Sequence, residues 1–526
     1  MRVVNSSIQP TRLLTVLQRK VDIMKYAELK IALFFLIVMA GAPVVAQEAK
    51  APADSAIISA IETEYQLDDV VNLNNINVAC KDGIVTLTGT SDNLLSKERA
   101  ARIAGIITGV RGVINRIEIA EVNVLDTDLR KRVETALQLD PATELYEVDV
   151  SAQDGVITLS GAVTSWQEKQ LCQSVAKNVG GVKEVENNLA ITYNGERPDA
   201  QIREEIKGRL GRDVRIDDFL VNVAVDNAEV RLSGAVASLA EKNRAFSDAW
   251  VAGVTSVDAT ELEVEWWARE SMRRKETYVS QNDSSIEKAV LQAFRYDPRV
   301  NPFDIWVSVD NGSLTLQGDV SNAAARQAAQ QDAQNVVGVW RVINLLKTRP
   351  QKIPPDQDLV SAVRERLAND VYVNWLDIRV NVRNGTVYLS GDVHTSFEKY
   401  RAARITRRIK GVVDVVNNID YRYTWQRRPD WEIRENVKNQ LYWSPFVDQE
   451  QVQVNVDDGI VTLSGVAATR SEYQAAVENA FDGGARDVIN ELEITHDVYG
   501  PYYWYYRHRQ DNTGVELQLA PPWPYY

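Results

Sequence analysis

Apolar residues recur at every fourth position in six separate stretches: Ile57, Ile61, Tyr65; Leu129, Val133, Leu137; Ile202, Ile206, Leu210; Ile286, Val290, Phe294; Leu359, Val363, Leu367; and Ile433, Val437, Leu441. That spacing lines one face of a helix. Strict alternation follows each stretch: Ile378, Val380 and Val382 point one way, Arg379 and Asn381 the other, and Val452, Val454 and Val456 repeat the pattern. Period two predicts a strand with one buried face. Pairs such as Asp82-Gly83 and Asp458-Gly459 then predict a tight hairpin turn, because glycine takes positive φ at no steric cost. The returning strand places residues such as Val461 and Leu463 inward. A second helix carries small residues four apart (Ala100 and Ala104, Ala245 and Ala249, Ala329 and Ala333, Ala476 and Ala480), which let it lie close on a sheet. A third strand closes each unit at Val113-Ile114-Asn115, Val185-Glu186-Asn187, Val342-Ile343-Asn344, Val415-Val416-Asn417 and Val488-Ile489-Asn490.

The pattern is a repeat. Gly459-Ile460-Val461-Thr462-Leu463-Ser464-Gly465 has near-copies bounded by Gly83 and Gly89, Gly155 and Gly161, Gly312 and Gly318, and Gly385 and Gly391, with a fainter one from Ala228 to Gly234. The closing glycines lie 72, 73, 84, 73 and 74 residues apart, so one small module is built six times. The expected fold class is α+β: a tandem array of six αββαβ modules, each two helices packed on a three-stranded mixed sheet, with the other sheet face free for water or a partner. The motif glycines read as turn and packing residues.

The modules are expected at 52–122, 123–195, 196–266, 280–350, 354–424 and 428–498. Most joints are short. The 267–279 linker accounts for the long period and is expected to let two groups of three modules move as halves. The third module diverges: Ala228 replaces the first glycine, with Asn227 before it as the expected turn former, and its last strand lacks the asparagine. This module reads as a spacer, or as one that has lost a contact the others make.

At the N-terminus, Lys25 and Lys30 precede the apolar run Ile31 to Ala40, and Val44-Val45-Ala46 offers a cleavage site, so residues 1–46 read as an export signal with Met24 as an alternative start; an uncleaved anchor helix is the other reading. Removing these residues leaves 53 basic and 71 acidic side chains, a net charge of −18. Nucleic acid is therefore not an expected partner, since phosphate contact needs clustered Lys and Arg. The expected location is the periplasm, peripheral to either membrane.

Catalytic chemistry finds no foothold. Cys80 and Cys172 stand at positions that hold small apolar residues in the other modules, and a disulfide would have to link two separate cores. His394, His496 and His508 have no second ligand at metal spacing. There is no phosphate loop, and the turn aspartates have no partner carboxylate at fixed spacing. No enzyme activity, metal, cofactor or small-molecule substrate is expected; a repeated array argues for binding.

The arrangement resembles the BON domain, whose mark is Gly-x-Val-x-Leu-x-Gly followed by Val-x-x-Val-x-Asn. Here these stand as Gly155-Val156-Ile157-Thr158-Leu159-Ser160-Gly161 and Val182-Lys183-Glu184-Val185-Glu186-Asn187, with similar pairs in modules one, four, five and six. The resemblance covers nearly all of 52–498. It implies an exported bacterial envelope protein without enzymatic activity, similar to osmotically inducible periplasmic proteins and in contact with phospholipid membrane. It equally implies a companion of secretins, channels or peptidoglycan-binding domains.

Three stretches offer binding chemistry. Lys399, Arg401, Arg404, Arg407, Arg408 and Lys410 follow one another along the fifth module's second helix, with Arg401, Arg404 and Arg408 on one face; this is either a solvated face or a contact for anionic headgroups. Trp266 and Trp267 precede Arg269, Arg273, Arg274 and Lys275, which suits a membrane interface, or else the Trp pair packs on a neighbouring module. The 499–526 tail is dense in Tyr and Trp and is read as disordered, docked on module six, or bound to envelope lipid or glycan. The expected function is membrane-surface binding in envelope maintenance or osmotic-stress protection. The alternative is a protein-interaction scaffold for an envelope complex such as a secretin or channel.

Overall fold

The structure, a computed structural model, describes residues 51–494 apart from 69, 121–123, 144–145, 194, 196, 269–281 and 422–427. The signal, the basic residues from Arg269 to Lys275 and the aromatic tail lie outside the described residues. Module five shows the plan: helix Asp356–Ala368, strands Ile378–Arg383 and Thr386–Val393, helix Ser396–Arg407 and strand Asp414–Tyr421. All six modules follow this order. In each sheet the middle strand pairs antiparallel with the first and parallel with the third. In modules two and four the third strand comes in two pieces, Glu184–Asn187 with Ala190–Ile191 and Arg341–Asn344 with Lys347–Thr348.

Six separate cores fill the space between sheets and helices. The every-fourth-residue faces of the first helices are buried, and so are Ala100, Cys172, Ala245, Ala329, Ala402 and Ala476 beneath the second helices. Cys172 therefore packs as a small core residue, while Cys80 is half-buried and its thiol donates to Asp54 Oδ1 at 3.2 Å.

Each hairpin is tied to the first helix by a clamp. The aspartate that opens the helix accepts two turn N–H groups: Asp356 Oδ2 from Asn384 at 3.0 Å and Oδ1 from Gly385 at 3.1 Å. Asp54, Asp126, Asp199, Asp283 and Asp430 do the same in their modules. A carboxylate at a helix N-terminus is already favoured by the exposed N–H groups there, so one side chain satisfies helix and turn together. The closing glycines have a different reason. In Gly391, at φ 140°, an added Cβ would lie 2.0 Å from the Asp377 carbonyl oxygen. Equivalent clashes of 2.0–2.4 Å occur at Gly89, Gly161, Gly234, Gly318 and Gly465, where the first strand enters beside the second.

The third module keeps the clamp despite its sequence. Both Asn227 (φ 50°) and Ala228 (φ 63°) adopt the left-handed conformation, so the alanine itself takes the strained position as well as the asparagine. Where the other third strands carry asparagine, this one bulges between Asp258 and Glu261. The asparagines elsewhere fasten the third strand to the second helix. Asn417 Nδ2 donates to the Lys399 carbonyl at 3.0 Å while Oδ1 accepts the Ile419 N–H. In the bulge, Asp258 Oδ1 accepts from Thr260 instead.

The modules do not hang as beads. Gly180 N–H donates to the Asn369 carbonyl and Lys410 N–H to the Leu139 carbonyl, each at 3.0 Å. Asn369 and Lys410 stand 230 residues after Leu139 and Gly180, the offset between Gly161 and Gly391, so modules two and five meet about a local twofold. The same bond joins one and six (Thr108 N–H to the Trp443 carbonyl, 3.0 Å) and three and four (Val337 N–H to the Arg212 carbonyl, 2.9 Å). The chain thus doubles back between modules three and four, and its two halves are bonded at three places. The expectation of halves free to move about the 267–279 linker is corrected by those bonds. Within the first half, Leu94 packs in the core of module two, Trp166 stacks on Trp250 of module three at 5.7 Å, and Leu239 packs against the core of module one. These are equivalent positions, so modules one to three close into a ring. Arg326 of module four reaches Asp414 of module five at 2.8 Å.

Replacing Ala228 with Gly is expected to stabilise module three by about 1 kcal/mol, the approximate cost of the left-handed region for a residue with a Cβ. Asp430→Ala, which orphans two turn N–H groups, is expected to destabilise module six by about 1–3 kcal/mol. Urea unfolding midpoints of the full chain check both.

Candidate functional site

Second helices carry apolar side chains inward and polar ones outward, and the folded-back arrangement turns the polar faces toward other modules. Around modules one, two and five these faces carry a dense charge network. Arg401, only 5% exposed, grips Asp370 with Nε and Nη2, each at 2.6 Å, and its Nη2 also donates to Asn178 Oδ1 of module two at 3.1 Å. Arg99 pairs in the same way with Asp68 and lies over the Phe397 ring at 5.0 Å. Arg408 Nε meets Asp140 of module two at 2.8 Å. Tyr372 donates its hydroxyl to Asn93 Oδ1 of module one at 2.9 Å.

The basic face of module five is therefore a seam between modules. Arg401, Arg404 and Arg408 do share a face, as their spacing requires, but Arg401 and Arg408 spend their charge on Asp370 and Asp140. Lys399 is half-buried and its carbonyl receives Asn417. Arg404 makes no ion pair among the described residues; burial, then the like charges of Arg401 and Arg408, lower its pKa to about 9. Its counterpart in module one, Arg102, is lowered to about 10 by burial and by Arg99. Of the tryptophans, Trp266 is half-buried and Trp267 is 54% exposed, bordering a shallow groove with Leu220, Ala235, Glu263 and Glu265. The structure keeps the Trp pair on module three and the arginines in the seam. The motif glycines that open each repeat, including Gly83, Gly155, Gly312 and Gly459, sit in turns.

The other seams hold carboxyls. Glu64 of module one accepts from Gln440 Nε2 of module six at 2.8 Å, and burial raises its pKa to about 8 against that bond, with Asp482 and Asp68 adding to the rise. Burial also raises Glu478, to about 8, and Asp248, to about 6. Among the described residues no group of His, Cys, Asp and Glu is arranged to hold a metal, and no helix is long and apolar enough to cross a membrane.

Two recurrent devices escape a reading by hydrophobic period. The clamp aspartate stands 28 residues before the first turn residue in all six modules, a fixed offset that the sequence displays. The other is a glutamate at the third position of the second helix. Glu398 accepts from Asn374 N–H at 2.6 Å and His394 N–H at 3.1 Å, and Glu241 and Glu472 make the same two bonds. Its signal is Ser or Thr three residues earlier, the pattern of a capping box.

The profile of the BON domain matches this chain six times, at residues 53–121, 125–193, 198–265, 282–350, 355–423 and 429–496. The chain belongs to the BON domain family. Its BON modules are similar to Osmotically-inducible protein Y of Escherichia coli, 29% identical over 143 residues, which is 26% of this chain and 71% of that protein. They are also similar to the outer membrane lipoprotein DolP of Haemophilus influenzae, 30% identical over 145 residues, 27% of this chain and 75% of that protein. Each match has the length of two BON modules. A chain of CdsD, a structural protein of the type III secretion system of Chlamydia trachomatis, aligns with 39% of this chain and 91% of its own length at 17% identity, but with a TM-score of 0.11 the two do not superpose as wholes.

A buried carboxyl whose folded pKa is raised stabilises the fold below its ordinary range, and that contribution is lost as pH climbs through the raised value. For Glu64 the window runs from about 4.5 to about 8. Glu64→Gln keeps the bond to Gln440 without a charge, so the fall in melting temperature between roughly pH 5 and pH 8.5 is expected to be smaller in the variant. Calorimetric scans at the two pH values measure it.

Proposed function

We propose that this chain is a non-enzymatic periplasmic BON array that docks peripherally on phospholipid membrane and serves envelope maintenance under osmotic stress. Family membership supports the binding role, and two relatives whose names speak of osmotic induction and of the outer membrane support the location and the setting. The observation that carries the membrane reading is a repeated, outward apolar side chain. In the short turn before the first strand, Phe219, Phe303 and Leu376 occupy equivalent positions in modules three, four and five and are 86%, 90% and 73% exposed. Folding gains nothing from such exposure, whereas transferring a phenylalanine side chain out of water is worth about 1.5–3 kcal/mol. Leu220, next to Phe219, lines the same groove as Trp267, so the tryptophan expected at a membrane interface stands beside the exposed turn. The acids of that groove, Glu263 and Glu265, make apolar insertion the driving term there rather than attraction to anionic lipid. With Arg401 and Arg408 engaged in the seam, the outer aromatic turns replace the basic helix as the proposed lipid contact.

The scaffold reading rests on a different feature. The first strand of every sheet is an edge, and in module four that edge displays Trp306, 72% exposed, for a protein strand to add against.

Flotation with vesicles of phosphatidylethanolamine and phosphatidylglycerol separates the two. The chain is expected to float, and Phe219→Ser with Phe303→Ser is expected to reduce the floated fraction several-fold while leaving the melting temperature within a few degrees. An unmodified chain that stays in the dense fraction overturns the membrane reading.

A further inference from the structure

The seam between modules one, two and five has more cations than anions. Three carboxylates are ion-paired within it, Asp68 with Arg99, Asp370 with Arg401 and Asp140 with Arg408, and Asp482 of module six adds its charge beside Arg99. Glu98 at its margin is matched by Lys177 at 2.5 Å. Three further arginines remain. Arg366 on the first helix of module five stands among Arg408, Asp140, Asp370 and Arg401. Arg404 lies one helical turn from both Arg401 and Arg408, and Arg102 of module one is among the charges that act on it. None of the three makes an ion pair among the described residues. In addition, Nη2 of Arg408 is buried without a hydrogen-bond partner, although Nε of the same group is engaged by Asp140.

Guanidinium groups stay charged in proteins, so the seam cannot relieve this excess by losing protons. A buried donor without an acceptor is destabilising, and like charges drawn together on the half-buried side chains of Arg102, Arg366 and Arg404 add to it. The folded-back arrangement forces this crowding, because Arg102 and Arg404 stand at the same position of the second helices of modules one and five, which meet where Tyr372 bonds Asn93 and Arg99 lies over the Phe397 ring. What the seam lacks is an acceptor with several oxygens and negative charge. Planar guanidinium forks bind phosphate in two-pronged fashion, which suits such a group better than a halide.

We propose that the seam between modules one, two and five binds a tetrahedral oxyanion, held by Arg102, Arg404 and the unpartnered Nη2 of Arg408. The bound group is either inorganic phosphate or the phosphate of a glycerophospholipid headgroup, and its binding locks the first ring of modules to module five. Asp140 and Asp370 keep their own arginines, so the anion adds a bridge without displacing one. This site is separate from the outer aromatic turns, and the two stand or fall independently.

Thermal unfolding of the full chain tests the proposal, with inorganic phosphate, glycerol 1-phosphate or phosphatidylglycerol vesicles each compared with sodium chloride at equal ionic strength. A phosphate-specific rise in melting temperature is expected, with calorimetric binding at about one site per chain. Arg404→Met is expected to weaken that binding at least tenfold and to melt no lower than the unmodified chain in anion-free buffer, since it removes an uncompensated charge. Arg102→Met is the second variant if the first fails to fold. A rise with inorganic phosphate identifies the free ion, and a rise with glycerol 1-phosphate or vesicles alone identifies the headgroup; either supports the site. Equal effects of chloride and all three phosphate sources, or a phosphate-specific rise that survives in both Met variants, overturns it. Flotation of Arg404→Met matches that of the unmodified chain where free phosphate is the ligand and falls where the headgroup is, whereas Phe219→Ser with Phe303→Ser leaves the phosphate-specific rise in place, which keeps this outcome distinct from the membrane reading.

Discussion

One backbone hydrogen bond sets the shape of the described array. The loop after the second helix of one BON module donates an N–H to the end of the first helix in another, and this bond recurs at Thr108 with Trp443, Lys410 with Leu139 and Val337 with Arg212. Each joint places the C-terminal end of one helix, with its unsatisfied carbonyls, where a loop donor completes it. Helix ends that an isolated module would leave to water are thus closed by a partner. The pairs one with six, two with five and three with four are nested, so the order of pairing runs outward from the middle of the chain.

The clamp aspartates matter for the same reason. A joint between modules is only as rigid as the helices that make it, and each first helix is tied at its start to the hairpin and buried along one face on the sheet. The third-strand asparagines fix the second helix in turn. Module three replaces that last device with a bulge and still forms both its ring contact and its pair, which makes it a full member of the array rather than a spacer.

The fold within each module is legible in the sequence because its causes are local. Leu359, Val363 and Leu367 face their own sheet, only some twenty residues away along the chain, and period and turn chemistry report that directly. The association of modules is not legible, because the residues that make it are polar, and polar residues on the outer face of a helix read as solvated. Arg401 and Arg408 have the spacing of a basic stripe for lipid. Only the position of Asn178 and Asp140, more than two hundred residues earlier, shows that module two covers them. The Trp pair stands out by composition alone, and its partial burial follows from where the third strand of module three ends. Phe219, Phe303 and Leu376 carry no periodic signal at all, since an apolar residue in a short polar turn is noise until its exposure is known.

How six similar modules choose the right partners is answered by where the charges stand. Modules one, three and five carry an aspartate at the end of the first helix and an arginine 31 residues later that pairs with it: Asp68 with Arg99, Asp213 with Arg244, Asp370 with Arg401. Modules two, four and six do not, having Leu171, Ala328 and Ala475 at the arginine position. Each pair joins one module of each kind, and each closes with its own chemistry. Asp140 takes Arg408 from module five, Gln440 reaches Glu64 in module one, and Tyr296 receives Arg209 of module three over its ring at 4.3 Å. A wrong pairing would keep the common backbone bond but leave buried Asp140 of module two without Arg408, a loss of about 3–5 kcal/mol for a broken buried pair, and would forfeit the Gln440–Glu64 bond or the Arg209–Tyr296 contact in the other two pairs. The shared bond makes association possible, and the unshared side-chain contacts favour the association that is seen.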